Sequence, residues 1–185
     1  MIGIIKKIKA FFLKLFGKGK KKKAMPKERK EFKNEDFLPV VVELLKTKEK
    51  KTVTIPLRGI SMRPFLENDR DAALLTLPDN VKVWDPVLAE ISPGHFVLHR
   101  ILKIDGEDVT LMGDGNLRCE YCKLADIRAG VVGFYRKGRK KLDRTDGLKW
   151  RTYSWIWMHL LPLRRYFLSA HSRIWLKIFK PKKRI

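Results

Sequence analysis

The chain has 185 residues, with 42 Lys and Arg against 20 Asp and Glu, for a net charge of +22. That length supports one ordinary domain with extensions, long enough to bury a core. The charge excludes a uniformly basic coat, because residues 1–33 carry a net +11 and residues 136–185 a net +14, while residues 34–135 carry −3. The basic character belongs to the two ends, and it speaks to partners rather than to fold.

In chain order, residues 1–23 come first. Ile4, Ile5, Ile8, Phe11, Phe12 and Leu15 recur at helical spacing, with Lys6, Lys7, Lys9 and Lys14 largely off that stripe. Gly17 and Gly19 end the pattern, and a polybasic run follows to Lys23. This predicts a basic amphipathic helix lying in the interface of an anionic bilayer. Lysines interrupt the apolar run far short of the roughly twenty residues of a spanning helix. No small-residue cleavage site follows, so the stretch does not read as an export signal. Docking on the protein's own core, and stacking of bases between the lysines, are the competing readings. Residues 24–36 are polar and charged, with Pro26, and read as a linker.

Residues 37–136 carry the expected domain. Phe37–Leu45 reads as a short helix and Thr52–Leu57 as a strand. The loop Gly59-Ile60-Ser61-Met62-Arg63-Pro64 follows it. Gly59 permits positive φ and Pro64 fixes its own φ, so a small hydroxyl sits on a bent loop after a strand. Such a cluster also marks an ordinary turn. Strands are predicted at Ala72–Leu77, within Val81–Ala89, at Phe96–Ile104, Val109–Met112 and Ile127–Arg136, with turns at 68–71, 78–80, 93–94 and 105–108. Many short strands with frequent turns predict a mainly β domain. His99 lies in the middle of one strand, and alone it fits a core histidine. Gly113-Asp114-Gly115-Asn116 is turn-rich. Cys119-Glu120-Tyr121-Cys122 supplies two ligands where a structural zinc takes four, and only His95 and His99 are at hand to complete a set. Two free thiols are the simpler expectation. No cofactor motif is present, and no metal is expected.

Three motifs in this order, Gly59-x-Ser61-Met62-x-Pro64, His99-Arg100-Ile101 and Gly113-Asp114-x-Asn116, resemble those of the signal peptidase I and LexA-like serine peptidases. The resemblance covers roughly residues 52–134. His99 stands where many bacterial members carry Lys, which is similar to the archaeal and endoplasmic-reticulum-type signal peptidases. The resemblance implies Ser61 as nucleophile and His99 as general base, because a hydroxyl needs a neighbouring base and that base needs an orienting partner. In those relatives the orienting acid lies a few residues beyond the Gly-Asp pair. The matching position is Glu120, a Glu where Asp is usual, and Asp114 is the second candidate. The position that in some members adds a hydroxyl to the oxyanion hole is Gly59, so the hole would rest on backbone N–H groups, chiefly that of Ser61. The implied fold is a LexA/signal-peptidase-like β domain with amphipathic helical extensions.

Residues 137–185 form a basic aromatic tail, expected as two helices broken at Pro162 and ended by Pro181. Its longest uncharged run, Thr152–Leu163, is too short to span a bilayer. Its Trp, Tyr and Arg suit a headgroup interface, or a helical hairpin covering the β domain, or both with one face each way. The expectation is a serine endopeptidase acting on a peptide or protein, such as a leader or signal peptide, held peripherally on an anionic membrane surface at the cytoplasmic face. Nucleic acid is not the expected partner. The alternatives are a self-cleaving LexA-like regulator, for which residues 1–50 offer no convincing helix-turn-helix, and a non-catalytic membrane- or nucleic-acid-binding module.

Overall fold

The computed structural model describes residues 34–47, 52–137, 139 and 141–175. The basic helix and polybasic run expected at 1–23, most of the linker at 24–36 and the end of the tail lie outside the described residues. Helix α1 (Asn34–Lys46) opens the described part. It starts inside the stretch expected as linker and carries Pro39 within its second turn, where the ring removes one intrahelical hydrogen bond. Leu38, Val41, Val42 and Leu45 are buried at helical spacing.

Eight strands follow: β1 (Thr52–Pro56), β2 (Ala72–Thr76), β3 (Pro86–Ser92), β4 (His95–Asp105), β5 (Asp108–Met112), β6 (Glu120–Lys123), β7 (Ile127–Tyr135) and β8 (Asp143–Arg144). All pairings are antiparallel, in the order β1-β2-β7-β3-β4-β5-β6, with β8 added to β7. The protein is mainly β, as its alternating sequence predicts. β6 and β8 escape sequence reading because they hold four and two residues and are largely polar. β8 also extends the sheet into the stretch expected as wholly helical tail.

β1 and β2 alternate, turning Val53, Ile55, Ala73 and Leu75 inward. β3 is different. Pro86 to Ala89 are buried in succession, because Leu88 joins one apolar cluster and Val87 and Ala89 join another. A strand covered on both faces reads as a continuous apolar run. The larger cluster packs α1 against Val53, Ile55, Leu75, Phe134 and Trp150. The smaller holds Ile101, Val109, Leu111 and Ile127.

Helices α2 (Leu148–His159) and α3 (Arg164–Ala170) form the last described part, separated by a 3-10 turn at Leu161–Leu163. The break falls at Pro162, as expected. Trp150, Ser154, Trp157 and Met158 are buried along one side of α2. The tail is therefore docked on the sheet through one face.

Candidate active site

The site grows from one hairpin. β4 and β5 pair with Ile101 opposite Leu111 and Arg100 opposite Met112, so the turn at 106–107 returns the 113–114 stretch to the level of His99. Successive strand residues point to opposite faces, and this divides the motif in two. His99 faces one way and Arg100 the other. β6 pairs with β5 so that Glu120 stands opposite Leu111, on the same face as Ile101 and hence His99.

On that face His99 is buried, and its Nδ1 lies 2.6 Å from Glu120 Oε2. The contact is close but not aligned as an in-line hydrogen bond, and neither atom has another hydrogen-bond partner among the described residues. Burial pushes the His99 pKa below the ordinary histidine value, against the opposing pull of the Glu120 carboxylate. The shift favours the neutral imidazole over the charged form. Its other nitrogen, Nε2, faces Gly113. A Cβ built on Gly113 falls 2.9 Å from His99 Nε2 and 2.5 Å from the carbonyl oxygen of Ser61. Any side chain at 113 collides with both, so Ser61 and His99 flank a position that only glycine fits.

The Ser61 loop is pinned from both ends. The Gly115 N–H donates to the Ser61 carbonyl at 2.7 Å, and a Cβ on Gly115 falls 2.7 Å from the Ile60 carbonyl. Gly59 adopts φ +91° and donates its N–H to Asn68 Oδ1 at 2.8 Å. Met62 and Leu66 are buried beneath the turn. Asp71 closes it, accepting from the Glu67 N–H at 3.0 Å and from Arg70 Nε at 2.9 Å. Burial acts to raise the Asp71 pKa, but these donors outweigh it and hold the carboxylate below its usual range. Ser61 itself is half-buried. Among the described residues its hydroxyl makes no hydrogen bond, to His99 or to any other group, and substrate-free catalytic contacts are often long until a substrate draws them together.

Asp114 does not face His99. It is fully buried and takes Arg100 in a two-point pair, with Nε to Oδ1 at 2.8 Å and Nη2 to Oδ2 at 2.7 Å. Tyr153 donates its hydroxyl to Asp114 Oδ2 at 3.0 Å. Of the two candidate acids, Asp114 pairs with Arg100 and Glu120 contacts His99, because strand alternation sends the Asp114 side chain to the Arg100 face. Burial alone would lower the Arg100 pKa, but Asp114 overrides it and raises it.

The tail completes this second pocket, and sequence reading missed its residues. Arg100 Nη1 donates to Ser154 Oγ at 2.7 Å and to the Trp84 carbonyl at 2.8 Å. Trp157 Nε1 donates to the Asp114 carbonyl at 3.1 Å. Arg164, 2% exposed, directs Nη1 at Met112 Sδ, 2.6 Å, and at the Gly113 carbonyl, 3.4 Å, with its guanidinium over the Trp157 ring. Donors from α2 and α3 therefore converge on residues 112–114, the stretch that separates Ser61 from His99. The only signal in the sequence was the density of Trp and Tyr in the tail, which does not say what they touch.

The remaining candidates lie apart. His95 is exposed at the start of β4. Cys119 and Cys122 are free, Cys122 packs against the smaller cluster, and burial pushes its thiol up. Three residues apart along an extended segment, the two side chains diverge. Among the described residues no three His, Cys, Asp or Glu side chains gather as a metal site, and no helix is long and apolar enough to cross a membrane. The chain matches no known protein-family model, and no curated protein matches it either.

Proposed function

We propose that the protein is a serine endopeptidase of the signal peptidase/LexA-like type, acting on peptide or protein substrates at or near a membrane surface. One observation carries the reading: the Glu120 carboxylate lies 2.6 Å from His99 Nδ1, while His99 Nε2 and the Ser61 carbonyl both pack against Gly113. The reading assigns Ser61 as nucleophile, His99 as base and Glu120 as orienting acid, the order that activates a hydroxyl. In the proposed reaction Ser61 Oγ bonds to the substrate carbonyl carbon and its proton passes to His99 Nε2. The peptide C–N bond then breaks as His99 returns that proton to the leaving amine. Water, deprotonated by the same imidazole, releases the acyl group and restores Ser61. The backbone N–H of Ser61, two residues after Gly59, is the proposed oxyanion donor.

The test is labelling of the full chain by a fluorophosphonate probe, which phosphonylates activated serines with loss of fluoride. Wild type is expected to label, and Ser61→Ala and His99→Ala are expected not to. Labelling that survives Ser61→Ala would refute the assignment, as would a wild-type protein that neither labels nor cleaves a peptide library.

A further inference from the structure

Helix α2 is apolar on two sides. Trp150, Trp157 and Met158 fill the side turned to the sheet. Trp155 and Ile156, on the other side, are 53% and 45% exposed. The pattern repeats in α3 and the turn after it. Arg164 points inward, whereas Tyr166, Phe167 and Ile174 are 58%, 46% and 60% exposed. Clustered exposed apolar side chains mark an interaction surface, and the described residues leave this outer stripe open. The exposed cations here are Lys149, which pairs with Asp143, and Arg151, Arg165 and Arg173, and from Leu148 to Trp175 the sequence contains no Asp or Glu. The Arg165 guanidinium lies over the Tyr166 ring, 4.6 Å from its centre.

We infer that this outer face of α2–α3 is a docking surface for an anionic lipid bilayer. Aromatic rings at headgroup depth, with arginine heads reaching phosphate, are the chemistry of a membrane interface. A nucleic acid also accepts arginine and aromatic rings, but Ile156 and Ile174 offer nothing for a base to stack on and fit the acyl boundary. The inner side of the same element touches the candidate site, since Arg164 directs its guanidinium at the Gly113 carbonyl. A bilayer on Tyr166 and Phe167 therefore lies about one helix diameter, ~10 Å, from the residues between Ser61 and His99. The docking stands on the tail alone. That it delivers membrane-tethered peptide to Ser61 rests on the peptidase reading.

The experiment uses the full chain with vesicles of phosphatidylcholine, alone or mixed with phosphatidylglycerol, brominated in the acyl chains. Tryptophan emission is expected to be quenched on the anionic vesicles, and Trp155→Phe, which keeps the bulk, is expected to remove a large share of that quenching. Replacing Trp155, Tyr166 and Phe167 together by Ala is expected to weaken anionic-vesicle binding by about tenfold or more. Quenching unchanged in Trp155→Phe overturns the proposal, because the face then points away from lipid whatever residues 1–23 contribute. So does a DNA duplex that displaces the vesicles and loses more affinity than they do in the triple variant. Fluorophosphonate labelling and peptide-library cleavage in the same samples separate the two ideas: absence of both removes the peptidase reading and leaves the quenching result to judge the docking surface.

Discussion

The two acids near His99 and Arg100 differ in their surroundings. Asp114 is sealed between Arg100, Tyr153 and the backbone-bonded Trp157, with every contact supplied by the protein. Glu120 is half-buried at the sheet edge and holds one contact, to His99. The first arrangement suits architecture, because a buried pair with all its hydrogen bonds made resists rearrangement. The second suits chemistry, because a base must change its charge without unfolding its surroundings. Two carboxylates six residues apart thus sit in different surroundings, one fully paired and buried, the other half-buried against a single imidazole.

The sharpest way to break this contrast is Asp114→Ala. It strands a buried guanidinium, and the expected loss of stability is about 3–5 kcal/mol in denaturant unfolding. A loss under about 1 kcal/mol would show that Arg100 finds water or another partner. Glu120→Gln is expected to do the reverse, leaving unfolding nearly unchanged while lowering kcat on the order of 10²-fold. Gly113→Ala tests the space between the two halves. Its methyl must displace the Ser61 carbonyl or the His99 ring, at a cost of about 1–3 kcal/mol, with fluorophosphonate labelling lost. Tyr153→Phe removes one hydroxyl from a carboxylate that keeps Arg100, so about 1 kcal/mol is expected, again by denaturant titration.

The pH dependence separates the acids further. The folded-state pKa of His99 is lowered, so between it and the unfolded value of about 6.5 the unfolded chain binds more protons. The contribution of His99 to stability is therefore fully present above about 6.5 and is lost as pH falls toward the lowered folded value. The acid limb of kcat/KM should fall below the usual histidine range, and Glu120→Gln should move it lower still by removing the carboxylate that opposes the shift. An acid limb unmoved in Glu120→Gln would mean that the two groups do not interact in solution.

Much of this was legible in the sequence, and the reasons are local. Alternation in β1, β2 and β4 and the turns between them announce a β domain. Ser61, His99 and Glu120 were reachable because their motifs are short and ordered along the chain. Asp114 was misjudged as a candidate partner of His99 because proximity in sequence says nothing of which face a side chain takes after a hairpin. Ser154, Tyr153, Trp157 and Arg164 were invisible as site residues because their partners lie some 40 to 50 positions upstream, a pairing that only tertiary packing decides. β6 was hidden by its brevity, although it carries Glu120 to its place.

The docking of α2 on residues 112–114 has a consequence for the order of events at the ribosome. Chains emerge from the N-terminus and domains fold as they appear, so the sheet is complete in sequence before Tyr153, Trp157 and Arg164 exist as folded structure. Until then Arg100 and Asp114 lack their cover and the Gly113 gap lacks its backing. The candidate site is thus the last part of the molecule to be assembled, and a nascent chain carries Ser61 and His99 well before it carries the residues that hold them in register.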